Sequence, residues 1–212
     1  MSDEVVFYSS PQSRGRIVHW MLEEVGVPYR FEVVNLETGD HKKPGFLAVN
    51  PMGKVPAIVH RGVVVTECAA ICAYLADAFP GARLAPALDS PMRGTYYRWL
   101  FFAAGCVEPA IIDRMLARPA PERQGALGYG RYEDTIATLE RAVSPGPYVL
   151  GAQFSAADVY LGSQIGFGMM TKALDPRPVF VEYANRLQQR PAYKRFMEQS
   201  DTIAAEMKKK AG

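Results

Sequence analysis

The segment Asn50–Pro56, which reads Asn-Pro-Met-Gly-Lys-Val-Pro, has the residue pattern with the clearest chemical consequence. Pro56 directly precedes a predicted strand and has no N–H for the sheet, and it pushes Val55 into an extended conformation. If the Val55–Pro56 bond is cis, Val55 turns its N–H and C=O out of the sheet. A peptide-like ligand would then pair with the Val55 backbone as an extra short strand.

Glu67, with Cys68 beside it, lies at the expected start of the next helix. Its carboxylate can meet an ammonium group of a ligand, while the N–H groups at the helix start can meet a ligand carboxylate. The alternative is that Glu67 is an ordinary acidic residue of a first helical turn. Residues 50–68 therefore predict a site for a small peptide-like ligand.

The elements that must position these residues alternate between strand and helix, in the order β-α-β, a long connection, then β-β-α. Strands are predicted at Val5–Tyr8 and Tyr29–Val34, and a hairpin at residues 56–65. Apolar spacing predicts helices at residues 17–25 and 71–78. This order predicts an α/β domain.

Residues 79–91 contain three prolines and a glycine, which is linker chemistry, and only helical patterns follow them. We therefore expect an α/β domain at residues 1–80, a linker at 81–90 and an all-helical domain at 91–212. Within the helical part, residues 155–158 read Ser-Ala-Ala-Asp, a capping box that we interpret as a folding element and not as a catalytic pair.

Composition excludes several functional classes. Lys and Arg total 24 and Asp and Glu total 22, so the formal net charge of +2 gives no basis for dedicated nucleic-acid binding. The longest charge-free run, residues 142–157, contains prolines and glycines, so no membrane span is predicted. Three cysteines without a C-x-x-C pair predict neither a disulfide framework nor a zinc site, and they favour a reducing cytoplasm.

Together these motifs resemble the glutathione S-transferase superfamily, in its theta-like, bacterial branch, over almost the whole chain. The matching residues are the block at 50–56, the pair Glu67-Cys68 and the opening segment Tyr8–Arg14, which reads Tyr-Ser-Ser-Pro-Gln-Ser-Arg. The resemblance implies the cytosolic glutathione transferase architecture: an α/β thioredoxin-like N-terminal domain plus an all-α C-terminal domain. It also implies a homodimer.

The resemblance implies how glutathione binds. Val55, beside Pro56, would pair with the cysteinyl backbone, and Glu67 and Cys68 would hold the γ-glutamyl end. The family usually has Ser or Thr in place of Cys68. Because a thiol is a weak donor while the backbone N–H can still donate, we expect weaker binding and not its absence.

Two lysines are further candidates for glutathione binding. The family often places a basic residue near Lys42 against the glycine carboxylate, and Lys54 has a similar status. For both, the alternative is a solvated loop lysine. Glutathione is implied as a co-substrate, with no metal and no bound redox cofactor.

The first strand-to-helix loop carries the hydroxyls expected to activate the thiol. A free thiol has a pKa of about 8.5, so only a few per cent is thiolate at neutral pH. A hydroxyl donor and the positive end of a helix can lower that pKa by about one to two units. We prefer Ser10, which matches the activating serine of the theta-like branch, with Ser13 and Ser9 as alternatives. A purely helix-capping role for these serines is the competing interpretation.

The resemblance thus implies a glutathione transferase that conjugates the glutathione thiolate to small apolar electrophiles, with peroxide reduction open to the same nucleophile. Aromatic residues cluster on a predicted helix from Tyr96 to Cys106, and Phe102 and Cys106 are candidates to line the electrophile pocket. One alternative is a zeta-type glutathione-dependent isomerase, although the opening loop lacks that class's Ser-Ser-Cys run. The other is a non-catalytic binding or scaffold protein.

Overall fold

The computed structural model describes residues 4–211, which form two compact units. The first unit comprises the described residues up to Ala82 together with the segment from Pro191 onward. The second comprises Arg83–Arg190. The C-terminal segment therefore groups by its contacts with the N-terminal residues, whereas the sequence placed all of 91–212 in one helical domain.

A four-stranded mixed sheet forms the centre of the first unit, with strand order β2-β1-β3-β4. β1 pairs parallel with β2 and antiparallel with β3, and β3 pairs antiparallel with β4. Phe7 faces Phe31 on one side and Ile58 on the other, and Phe7 and Ile58 are fully buried. The strands are β1 Val5–Ser9, β2 Tyr29–Val33, β3 Ala57–His60 and β4 Val63–Thr66.

The helices of the first unit follow the sequence pattern. The apolar face of α1 is buried, and Gly26 ends this helix in the left-handed region at φ 74°. A short 3-10 turn at Asp40–Lys42 lies between β2 and α2. The helices are α1 Gly15–Val25, α2 Pro44–Leu47, α3 Cys68–Ala78 and, from the end of the chain, α9 Pro191–Ala211, with a second 3-10 turn at Pro80–Ala82.

The second unit is helical. α7 packs against α4, α5 and α8, and its small and apolar residues are buried along most of its length. The segments of this unit are α4 Met92–Phe102, a π-helical segment Ala103–Val107, α5 Glu108–Met115, a 3-10 turn Gln124–Ala126, α6 Tyr132–Val143, α7 Ala156–Met170 and α8 Pro178–Gln188.

The π-helical segment differs from the single helix expected at Tyr96–Cys106. Cys106 lies on this segment, beyond the end of α4. Pro109 follows, and it has no N–H to donate to the carbonyl of Gly105, four residues earlier, which its ring would also crowd. A locally wider turn relieves both problems.

The capping box at the start of α7 is confirmed. The Ser155 side chain accepts the N–H of Asp158, and Asp158 Oδ2 accepts the N–H of Ser155 at 2.9 Å. Asp158 Oδ1 also accepts the N–H of Val149 at 2.8 Å and the hydroxyl of Tyr183 at 2.7 Å. Burial raises the pKa of the Asp158 carboxyl, and these hydrogen bonds oppose that shift. The box therefore joins three parts of the helical unit.

α9 is fixed to α1 by a polar cluster that is buried at its centre. His19 Nδ1 lies 2.8 Å from Ser200 Oγ, and His19 Nε2 lies 2.9 Å from Gln199 Oε1. The guanidinium of Arg195 donates to Glu23 Oε2 at 2.8 Å. Beside these contacts, Trp20 and Tyr193 meet edge to face, and Phe196 is buried.

Two negative findings hold for residues 4–211. No helix there is both long and apolar enough to span a membrane. Within the same residues, no three or more His, Cys, Asp or Glu side chains cluster in a way that could hold a metal ion.

Candidate functional site

The loop between β1 and α1 uses its serines in different ways. Ser13 Oγ donates to the carbonyl of Ser10 at 2.7 Å and accepts the N–H of Gly15 at 3.0 Å, so this hydroxyl caps the start of α1. Ser9 Oγ donates to the same carbonyl at 3.3 Å, and a Cβ on Gly15 would overlap it. The Ser10 hydroxyl has no hydrogen-bond partner among the described residues. Ser10 is therefore the serine whose hydroxyl is available to a ligand.

The block at residues 50–56 is organised by Asn50. This residue is buried, its side-chain amide donates to the carbonyl of Lys54 at 2.7 Å, and its side-chain carbonyl accepts the N–H of Met52 at 3.1 Å. The Val55–Pro56 bond is cis. The paired part of β3 begins at Ala57, so Val55 lies just before the first residue pair of the sheet.

A second contact ties this block to the 3-10 turn at Asp40–Lys42. Lys42 Nζ donates to the carbonyl of Met52 at 3.1 Å, although the side chain is exposed. Gly53 has a φ of 61°, and a Cβ there would come within 2.7 Å of the carbonyl of His41 and of Lys42 Nζ. Only glycine fits this approach without a shift. Lys42 and the block at 50–56 are thus brought together.

Glu67 and Cys68 stand at the start of α3 and point in different directions. Glu67 is exposed, has φ 66° and ψ 121°, and makes no side-chain cap of α3. Positive φ at a residue with a Cβ is strained, at a cost of about 1–3 kcal/mol. Cys68 is buried, and its thiol donates to the carbonyl of Arg14 at 3.7 Å, which joins α3 to the β1–α1 loop.

A cavity of about 480 Å³ opens at Ser10. Pro11 and Gln12 continue the wall from the β1–α1 loop, and Asn35, Leu36 and Glu37 contribute from the turn after β2. The remaining lining residues come from α9: Ala204, Met207 and Lys208. All of these residues belong to the first unit.

The two predicted electrophile-pocket residues lie in the helical unit. Phe102 is half-buried and its ring meets Trp99 edge to face at 5.7 Å. The thiol of Cys106 donates to the carbonyl of Gly128 at 3.7 Å, and burial raises its pKa. Lys54 is exposed in the first unit. These three residues stay predicted site residues.

Sequence reasoning missed the contribution of α9. Its buried residues Ala192, Phe196 and Ser200 recur every four positions, and Ala204 continues that spacing into the cavity wall. This periodicity was a signal for one buried face. The polar residue His19, whose partner Ser200 is far away in the chain, gave no local signal.

The comparisons with known proteins bear on this geometry. Residues 10–78 match the profile described as glutathione S-transferase, N-terminal domain. Glutathione S-transferase hmp2 of Hypomyces subiculosus is 35% identical over 192 residues, which cover 85% of this chain and 89% of the relative. The chain belongs to the glutathione S-transferase superfamily. Maleylacetoacetate isomerase of Pseudomonas aeruginosa is 30% identical over 197 residues, which cover 85% of this superfamily member and 90% of the isomerase.

A solved structure supports the same assignment. The crystal structure of a glutathione transferase homologue from Sulfitobacter, with bound glutathione, superposes with a TM-score of 0.76 at 25% identity, covering 93% of this chain and 99% of that chain. The predicted architecture of this transferase-family chain is confirmed: a thioredoxin-like α/β part is followed by helices.

Proposed function

We propose that this protein is a glutathione transferase in which Ser10 stabilises the glutathione thiolate for attack on small apolar electrophiles. The observation that carries the proposal is the division of labour in the β1–α1 loop. Ser13 is used as a cap, while the Ser10 hydroxyl has no described partner and lines a cavity. A hydroxyl without a partner in the protein, on a residue that lines a cavity, can donate a hydrogen bond to a bound thiolate.

The rest of the binding mode follows from the same unit. The backbone of Val55 pairs with the cysteinyl part of glutathione, and the Glu67 carboxylate receives the ammonium group of the γ-glutamyl end. The N–H groups at the start of α3, which the Glu67 side chain does not cap, receive the adjacent carboxylate. Lys42 and Lys54 neutralise the glycine carboxylate.

Cys68 enters this scheme through its backbone. Its thiol is turned to the carbonyl of Arg14, so only the N–H of this residue is offered to the ligand. Replacing Cys68 by Ser would shorten that contact and strengthen it, because a hydroxyl is a better donor than a thiol. Glutathione affinity would then change little, so this scheme replaces the expectation from the sequence that the Cys68 thiol weakens binding.

Titration calorimetry with glutathione and a conjugation assay with 1-chloro-2,4-dinitrobenzene test the proposal. The wild-type protein should bind glutathione and release chloride. Ser10→Ala should lower kcat/KM by about ten- to a hundredfold, which corresponds to one to two units of thiol pKa. Ser13→Ala is the matched control and should keep most of the activity. Equal losses of kcat/KM in both variants would contradict the proposal that Ser10 stabilises the thiolate.

A second candidate is glutathione-dependent isomerisation. It is favoured by one observation, the 30% identity to an enzyme named maleylacetoacetate isomerase. The same thiolate would serve, since addition to a conjugated double bond permits rotation before elimination. Assaying the isomerisation of maleylacetoacetate alongside chloride release separates the two activities.

The two turnover assays also distinguish the proposed enzyme from a binding or scaffold protein without catalysis. Such a protein would show no turnover with either substrate, whether or not it binds glutathione. We further propose that the active form is a cytoplasmic homodimer, as the resemblance implies. Sedimentation velocity measures its mass.

A further inference from the structure

The cavity at Ser10 is bounded by charged groups whose balance bears on the second substrate. Lys208 of α9 lies in its wall, and Glu37, from the turn after β2, contributes the opposite charge. Both side chains are exposed, and neither takes part in an ion pair or hydrogen bond among the described residues. Met207 and Leu36 add apolar surface to the same wall.

The position of Lys208 is set by the anchoring of α9. The polar cluster of His19 with Ser200 and Gln199, and the ion pair of Arg195 with Glu23, hold the earlier part of this helix against α1. Lys208 stands two helical turns after Ser200, beyond the anchored part. Lys208 is thereby placed in the cavity wall by a helix, and not by a loop.

The chemistry proposed for the cavity favours a cation over an anion there. When a thiolate attacks an electrophile, negative charge moves from sulfur onto the acceptor, so the acceptor side of the cavity becomes more negative during the reaction. Lys208 lowers the energy of that state and Glu37 raises it. The stabilisation by Lys208 is largest for an acceptor that itself carries an anionic group, because that group is repelled by the negative charge of the bound thiolate.

We propose, on the basis of the proposed function above, that Lys208 is a specificity-determining residue that selects electrophiles with an apolar body and a carboxylate or similar anionic group. The apolar body lies against Met207 and Leu36, and the anionic group pairs with the Lys208 ammonium. Glu37 weakens this preference.

A matched pair of electrophiles tests the proposal: 4-chloro-3,5-dinitrobenzoate and its methyl ester. In both, the thiolate sulfur forms a C–S bond to the ring carbon that bears chlorine, the C–Cl bond breaks, and chloride leaves with the bonding electrons. The two compounds differ in charge at one position. The quantity compared is the ratio of kcat/KM for the carboxylate to kcat/KM for the ester.

Lys208→Glu should lower this ratio by about fivefold, the upper end of what one exposed ion pair contributes. Lys209→Glu is the matched control, because it makes the same charge change on the next residue, which does not line the cavity; its ratio should stay at the wild-type value. Glu37→Gln should raise the ratio.

An equal ratio in Lys208→Glu and the wild-type protein would overturn the assignment of Lys208 and leave the transferase proposal standing. The same holds if Lys209→Glu lowers the ratio as much, since the effect would then come from overall charge. If the wild-type protein conjugates neither compound although it binds glutathione, both proposals fail together.

Discussion

The helical unit and the proposed glutathione site differ in how their polar groups are hydrogen-bonded. In the helical unit, the buried Asp158 receives hydrogen bonds from Ser155, Val149 and Tyr183, so its acceptors are occupied by the protein itself. In the first unit, the hydroxyl of Ser10 and the carboxylate of Glu67 have no described partners. A polar group whose hydrogen bonds are all made within the protein stabilises the fold. A polar group held in place without a partner is available to bind a ligand.

The largest expected effect is on the free energy of unfolding, and it comes from the buried and fully hydrogen-bonded Asp158 of the helical unit. Asp158→Ala leaves two backbone N–H groups and the Tyr183 hydroxyl without an acceptor, so it should lower the free energy of unfolding by about 4 kcal/mol. Asp134→Ala is the matched control: Asp134 is also the third residue of a helix, but it is exposed, and its loss should cost about 0.5 kcal/mol or less. Urea unfolding measures both. Equal losses would refute the distinction.

The next prediction distinguishes two properties of Glu67: its strained backbone conformation and the proposed contact of its carboxylate with glutathione. Glu67→Gly should raise the free energy of unfolding by about 1 kcal/mol, because glycine accepts positive φ without strain. It should also weaken glutathione binding about tenfold, because the partner of the ammonium group is lost. Glu67→Gln should weaken binding without the gain in stability. Calorimetry and urea unfolding on both variants decide this, and a less stable Glu67→Gly would contradict it.

A smaller expected effect is the pH dependence of stability caused by His19. This residue lies in the first unit, but both of its ring nitrogens already have hydrogen-bond partners within the protein. Burial is the main cause that lowers the pKa of His19 below its usual 6.5, and the nearby Arg16 adds to it, while Gln199 and Glu23 oppose it. The folded state thus resists protonation of His19. The contribution of neutral His19 to the free energy of unfolding is therefore complete above pH 6.5 and is lost as the pH falls below that value.

The loss should not exceed about 1.4 kcal/mol per pH unit. It is measured as the difference in pH dependence of unfolding between the wild-type protein and His19→Gln, which lacks this titration. If both proteins lose stability in parallel on acidification, His19 does not contribute.

Much of the fold could be predicted because its signals are local. Gly26 ends α1, the turn Arg61-Gly62 closes the hairpin with both residues at positive φ, and the capping box begins α7 as expected. The return of α9 to α1 could not be predicted from motifs, since it depends on contacts between residues about 180 positions apart. Pro109 was a local signal for the π-helical segment that periodicity alone does not detect.

The candidate site residues could be named from the sequence in part, also because their signals are local. Residues 50–56 and the pair Glu67-Cys68 form recognisable motifs, so their positions could be named from the sequence. The choice between Ser10 and Ser13 could not be made from the sequence, because it depends on which backbone groups surround each hydroxyl in the folded protein.

The most direct measurement of the central claim is the pKa of the glutathione thiol bound to the protein, followed by the ultraviolet absorbance of the thiolate as the pH is raised. In the wild-type protein and in Ser13→Ala, the bound thiol should ionise about one to two units below its value of about 8.5 in solution. In Ser10→Ala the pKa should return to the solution value. A low thiol pKa that persists in Ser10→Ala would contradict the account.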